Sequence, residues 1–258
     1  MRTLFFGATD FGYKCCEFVI QNNLTEITGI FTMPESFRIS YSDSLVKNYT
    51  YRDFSEIGEK YNIPLIEVTQ KMSFYTDEIK SFKADFILVA GWYYKIPAEI
   101  INSVSKGCAG FHSSLLPKYR GGAPLVWALI NGETETGITF FYFDEGTDTG
   151  DIIAQKKILI AEDDNIKTLT DKTTAAAFEI LREFIPMIAN GTAPRIKQDH
   201  SQATYYPQRK PEDGLIDWSW EPQRIKNFIR AQTKPYPGAF TIINGKKVII
   251  WDADIEKP

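Results

Sequence analysis

Apolar and polar positions along this chain follow two alternating patterns. Residues 2–8 (RTLFFGA), 26–32 (EITGIFT) and 85–90 (DFILVA) are short apolar runs. Short runs bounded by turn residues predict strands, and 85–90, apolar on both faces, suits a central parallel strand. Helical spacing predicts a helix over about 11–22, with Asp10 as its N-cap, and another near 52–61. A short strand near 64–68 follows. The polar stretch 33–51, rich in Ser, Tyr and Asn, predicts a long loop. Loops beyond about 12–15 residues are usually functional or mobile.

Further along, residues 107–112 (GCAGFH) predict a strand of small residues ending at His112. A helix is expected within 121–131, with Pro124 tolerated in its first turn. Two strands, 136–143 and 151–160, flank a tight acidic loop. A long helix over 165–190 stops at Gly191. Residues 192–214 bring prolines and many polar groups and read as a linker crossing the surface. A helix near 222–232 and a hairpin, 239–243 with 247–252, complete the pattern. Asn244-Gly245 between two apolar runs is a strong hairpin signal. Strands alternating with helices predict an α/β fold: a Rossmann-like, mostly parallel twisted sheet with helices on both faces. A small C-terminal helix and β-hairpin subdomain follows. The expected division is 1–191, a linker over 192–214, and 215–258.

Composition narrows the class. The chain has 258 residues, 43% hydrophobic and 24% charged, which is ordinary globular composition. Its net charge of −4 supplies no basic field to gather nucleic acid. The first apolar run is too short for a secretory signal, and the longest, 86–94, is too short to span a membrane. Cys15, Cys16 and Cys108 form neither a disulfide framework nor a zinc pattern. A soluble cytosolic protein without a metal is expected.

Two clusters carry candidate chemistry. The first is His112-Ser113-Ser114-Leu115-Leu116-Pro117-Lys118-Tyr119-Arg120-Gly121-Gly122-Ala123-Pro124. A His at the carboxyl end of a parallel strand stands where open α/β sheets bind ligands. With only two histidines in the chain, His112 is the candidate general base; His200, in the linker, reads as a surface residue. The second cluster is 144–151, whose ligand order does not match a calcium loop. Asp148, framed by Thr147, Thr149 and Gly150, is the carboxylate best placed to point inward and orient the imidazole.

The run HSSLLPKYRGGAP resembles the folate-dependent formyltransferases. So do Asn131-Gly132-Glu133, Thr136-Gly137-Ile138-Thr139, Asp148-Thr149-Gly150-Asp151 and the opening FFGATDFG. Asp213-Gly214-Leu215-Ile216-Asp217-Trp218 and Pro235-Tyr236-Pro237-Gly238-Ala239 look like the second-domain entry of methionyl-tRNA and sugar N-formyltransferases. The resemblance covers most of the chain. It implies formyl transfer from 10-formyltetrahydrofolate, as co-substrate, to a primary amine, with His112 and Asp148 as catalytic residues. It further implies a folate slot between Ala90-Gly91-Trp92-Tyr93-Tyr94 and the loop 141–148, including Phe141 and Asp144. Asp10, Tyr41, Lys47, Ser113 and Arg120 are the expected acceptor contacts, Arg120 through phosphate. One departure stands out: the family has Asn two residues before the His, and here that position is Gly110.

The family's tRNA-directed members carry a larger, basic second domain, and its folate hydrolases carry an extra amino-terminal one. Neither pattern is seen in this sequence. The expected acceptor is therefore a nucleotide-linked amino-dideoxysugar, with no nucleic-acid or membrane partner and a homodimer formed through the C-terminal region. The alternatives are methionyl-tRNA formyltransferase, or a weakly active relative that binds folate or a nucleotide sugar.

Overall fold

The structure, a computed structural model, describes residues 1–39 and 45–256. β1 (Arg2–Phe6) leads through α1 (Asp10–Gln21) to β2 (Glu26–Thr32). Within the predicted loop, β3 (Ser36–Phe37) and β4 (Val46–Lys47) form a short antiparallel pair. Then come α2 (Ser55–Tyr61), β5 (Leu65–Glu67), α3 (Thr76–Ser81), β6 (Phe86–Val89) and α4 (Ala98–Ile101). β7 (Cys108–His112), β8 (Arg120–Gly121), α5 (Pro124–Ile130), β9 (Glu135–Tyr142) and β10 (Ile152–Leu159) follow. The chain continues through α6 (Ile166–Asn190), β11 (Tyr205–Tyr206), α7 (Pro222–Arg230), β12 (Ala239–Ile243) and β13 (Lys246–Ile250).

Seven strands form one sheet in the order β10-β9-β7-β6-β1-β2-β5. The five from β7 to β5 run parallel, and β9 is antiparallel to both β7 and β10. Alternate side chains of a strand point to opposite faces, and both faces here are buried. Phe5, Phe86 and Leu88 pack on one side with Val19, Leu129, Ile180 and Leu181 from α1, α5 and α6. Leu4, Phe6, Ile87 and Val89 pack on the other with Met72, Ile79 and Ile100. Each such side chain contributes about 1.5–3 kcal/mol by leaving water.

The helix ends follow their capping chemistry, with one correction. α1 is capped by Thr9, whose Oγ1 accepts the Gly12 N–H at 3.2 Å; Asp10 is already helical and pairs with Lys14. A β-hydroxyl one residue earlier outcompetes the carboxylate because the chain at Thr9 is still extended. α6 begins with a capping box between Asn165 and Thr168, and ends at Gly191 in the left-handed region.

The segment 192–214 does more than cross the surface. Tyr205 and Tyr206 pair in parallel with Arg120 and Gly121, and Ile196 bridges to Ile152. Backbone pairing beside a buried guanidinium therefore seals it against the sheet's carboxyl-end loops. Beyond it, Ile216, Phe228, Ile229 and Ala239 build a small second core that also touches Ile130 of α5. Arg230 donates to the carbonyls of Ala161, Glu162 and Asp164, tying α7 to the loop before α6. In the final hairpin, Asn244 and Gly245 take φ of +50° and +75°, as a tight two-residue turn requires. Among the described residues no helix is long and apolar enough to cross a membrane.

Candidate active site

Parallel pairing sets Val89 of β6 beside Gly110 of β7, so the loops leaving both strands emerge together. Gly91 just beyond has φ +66°, and a Cβ there would lie 1.8 Å from Thr9 Oγ1. Only glycine allows that approach, through which the Ala8 N–H reaches the Gly91 carbonyl at 3.0 Å. The β1–α1 turn and the end of β6 thus form one rim.

His112 ends β7 and is buried. Its Nε2 lies 2.7 Å from the Tyr119 carbonyl oxygen. A carbonyl only accepts, so Nε2 carries a proton and donates it. In the neutral ring the lone pair is then on Nδ1, and Nδ1 faces Asp148 Oδ2 at 3.6 Å. The same Oδ2 accepts the Gly121 N–H at 2.8 Å. A proton taken up at Nδ1 is held facing a carboxylate. Among the described residues no cluster of metal-binding side chains accompanies the pair.

Backbone strain gathers around this pair. Tyr119, Ala123 and Asp148 have φ of +59°, +49° and +55°. Such conformations cost of order 1–3 kcal/mol each for residues other than glycine. At Asp148 two bonds oppose that cost: Gln198 Nε2 donates to its carbonyl at 2.9 Å and to that of Gly150 at 2.7 Å.

The remaining expected residues divide into those at the rim and those committed elsewhere. Ala90 is buried; Gly91, Trp92, Tyr93 and Ser113 are half-buried beside the strand ends. The Trp92 indole N–H is buried and has no hydrogen-bond partner among the described residues. Tyr93 donates to Asn48 Oδ1 at 3.1 Å, which docks the 45–51 segment onto the rim. Phe141 is packed with Leu116 and Ile152, so it faces core and not a slot. Asp144 is exposed; it accepts from Gly146 N–H and Thr149 Oγ1 and so shapes its own turn. Asp10 pairs with Lys14 and Lys47 with Glu35. Tyr41 lies outside the described residues.

Arg120 is not available to an external phosphate. It is 1% exposed, and its donors reach Gln198 Oε1 at 2.6 Å, Tyr205 Oη at 2.8 Å and His200 Nδ1 at 3.0 Å. Its strand neighbour Gly121 turns the chain so that its own N–H meets Asp148. His200 is exposed, yet one ring nitrogen takes part in this contact.

Gly110 is closed in. A Cβ there would meet the Val89 carbonyl oxygen at 2.5 Å, Val89 Cβ at 2.8 Å and the Phe143 ring at 3.0 Å. An asparagine does not fit without moving a strand and a ring. Sequence reasoning missed the Tyr119 carbonyl, the Gly121 N–H, Gln198 and the buried Asn48. The first two are backbone groups with no sequence signature, and the others are single polar residues in polar stretches.

Comparison with known proteins points one way. A formyl transferase family model matches residues 3–185, and a formyl transferase C-terminal domain model matches 209–258. Methionyl-tRNA formyltransferase of Geotalea uraniireducens is 34% identical over 252 residues, covering 97% of this chain and 78% of its own. A 4-N formyltransferase of Francisella tularensis shares the fold with a TM-score of 0.74 at 22% identity, over 98% of each chain. A sugar 3N-formyl transferase solved in the presence of dTDP and 5-N-formyl-THF has a TM-score of 0.70 at 21% identity, over 96% of this chain and 85% of that one.

Proposed function

The chain belongs to the formyl transferase family, and from that premise we propose that it formylates the primary amine of a nucleotide-linked amino-dideoxysugar. The family's one-carbon donor is a formyl-tetrahydrofolate. The chain's residues fit such a donor: the indole N–H of Trp92, buried and without a partner among the described residues, and the close backbone turn at Ala90 and Gly91 stand beside His112's strand. When bound, the donor supplies an activated formyl carbon.

The chain's own part is proton handling and positioning. Tyr119 fixes the ring and its tautomer, leaving the Nδ1 lone pair as the base. Nδ1 takes the proton that the amine loses as its nitrogen bonds to the formyl carbon, and returns it to the nitrogen that departs. Asp148 holds that proton's charge meanwhile. Positioned proton transfer of this type contributes about 10²–10⁴ in rate.

Charge carries the choice of acceptor. Residues 1–191 contain 18 Lys and Arg against 25 Asp and Glu, a net of −7. Residues 192–258 hold 11 Lys and Arg against 8 Asp and Glu, a net of only +3, which is little for a polyanionic tRNA, whose binding depends on neutralised phosphates; one diphosphate asks far less. A groove of about 660 Å³ lined by Asn131, Tyr206, Arg224 and Asn227 gives room for the nucleotide portion. Tyr206 there stacks on Tyr119, the residue whose carbonyl holds His112. In this reading 1–191 carries the reacting groups, 192–214 links while pairing with β8 and the Asp148 loop, and 215–258 forms a subdomain. Its exposed hairpin residues Ile242, Ile243, Val248, Ile249 and Trp251 join two copies.

Methionyl-tRNA as acceptor is the second reading, favoured by the name of the sequence relative at 34% identity. The test is formyl transfer from 10-formyltetrahydrofolate to a panel of nucleotide-linked 3- and 4-amino-dideoxysugars and to initiator methionyl-tRNA. Formylation of one sugar supports the first reading; transfer to the charged tRNA alone supports the second.

A further inference from the structure

Gln198 sits in the segment that the sequence presents as a linker, yet it is 6% exposed and makes three side-chain hydrogen bonds. Its amide nitrogen donates to the Asp148 carbonyl at 2.9 Å and the Gly150 carbonyl at 2.7 Å. Its amide oxygen accepts from Arg120 at 2.6 Å. Arg120 in turn precedes Gly121, whose N–H holds the Asp148 carboxylate at 2.8 Å. Asp148 is therefore gripped twice from the same place: by its carboxylate through Gly121, and by its backbone through Gln198. The double grip matters because Asp148 has φ +55°, in the left-handed region that few residues other than glycine adopt. Gly150, two residues on, is packed so tightly that a Cβ would stand 1.8 Å from the Tyr142 carbonyl. The loop thus has one tightly packed end and one strained residue, and Gln198 spans both.

We propose that Gln198 is a positioning residue for formyl transfer: it sets the Asp148 carboxylate against Nδ1 of His112, and the Arg120 guanidinium aims its amide. The segment 192–206 is on this view part of the active site. A planar amide suits the task because it must accept from a cation at one end and donate to two carbonyls at the other. Glutamate keeps the first function and loses the second; methionine loses both.

The experiment compares Gln198→Glu, Gln198→Met, Asp148→Ala and the two double variants. It measures kcat and KM with 10-formyltetrahydrofolate, thermal unfolding, and the Kd of 5-formyltetrahydrofolate. The acceptor is the panel member that the unaltered protein formylates, so the result does not depend on which member that is. Gln198→Glu, which retains its contact with Arg120 but leaves two carbonyls unmet, is expected to unfold a few degrees lower and stay fully folded at the assay temperature, with kcat lowered about 10²-fold as displaced catalytic groups cause. KM and folate Kd stay within about two-fold. In the Asp148→Ala background neither Gln198 substitution lowers kcat further, since residues acting through one another are non-additive. An unchanged kcat in Gln198→Glu overturns the proposal. So does an equal further loss in the Asp148→Ala background, or a kcat that falls only as the folded fraction falls. A panel in which no member is formylated by the unaltered protein counts against the function, and the 5-formyltetrahydrofolate Kd still reports whether the fold is intact.

Discussion

Asp148 Oδ2 and His112 Nδ1 stand 3.6 Å apart although 36 positions separate them in the chain. The contact exists because β7 ends at His112 while the loop after β9 folds back over it. Gly121 then fixes the carboxylate and the Tyr119 carbonyl fixes the ring. Two backbone groups from the HSSLLPKYRGGAP loop thus orient both side chains, and the residues that supply them, Tyr119 and Gly121, both have positive φ.

Gly110→Asn is expected to destabilise the protein and not to raise its rate. The new side chain overpacks Val89 and Phe143, at a cost of about 1–3 kcal/mol. Thermal unfolding and kcat of the single variant, and of Gly110→Asn with Phe143→Ala, check this. A single variant with unchanged stability and a higher kcat contradicts the closed-in reading of Gly110.

Arg120→Lys is expected to loosen 192–206. An ammonium cannot reach Gln198, His200 and Tyr205 together as the guanidinium fork does. Leaving the buried Gln198 oxygen unmet costs about 1–3 kcal/mol. Limited proteolysis should show faster cleavage within 192–206, and protection equal to the parent contradicts the account.

Asp164 links stability to acid. Burial pushes its carboxyl up, but Lys172, the Ala161 N–H and the Thr168 hydroxyl outweigh burial and hold it below the usual range. A carboxyl with a lowered folded value adds stability above its unfolded value near 3.9, and loses it as pH falls through the folded one. Asp164→Asn is therefore expected to cost about 2 kcal/mol at neutral pH and progressively less as pH falls through the lowered folded value. Urea unfolding at several pH values gives the difference; a cost independent of pH contradicts the assignment.

Charge on the exposed hairpin is expected to separate the proposed dimer. Ile243→Lys with Ile249→Lys places like charges where the proposed dimer would bring apolar side chains together, and analytical ultracentrifugation should show monomers. A parent protein that is monomeric at micromolar concentration contradicts the dimer.

The sequence was informative wherever one period dominated. The apolar runs at 2–8, 26–32 and 85–90 became β1, β2 and β6, and Asn244-Gly245 turned the hairpin. That His112 and Asp148 would meet was legible because each stands in a motif of distinctive residues. The role of Arg120 was not, since an arginine in a glycine-rich loop looks like an anion ligand until its burial is known. Gln198 was hidden for a different reason: β11 pairs with β8 across about 85 positions, and neither two-residue strand has a period to read. Asn48 belongs with it, a buried amide whose neighbours come from three separate segments.

The most direct measurement is the single-turnover rate of formyl transfer in the parent, His112→Ala and Asp148→Ala, each with its unfolding temperature. The account predicts rates lower by about 10²–10⁴ in both variants, with folding intact. A rate near that of the parent in either one contradicts it.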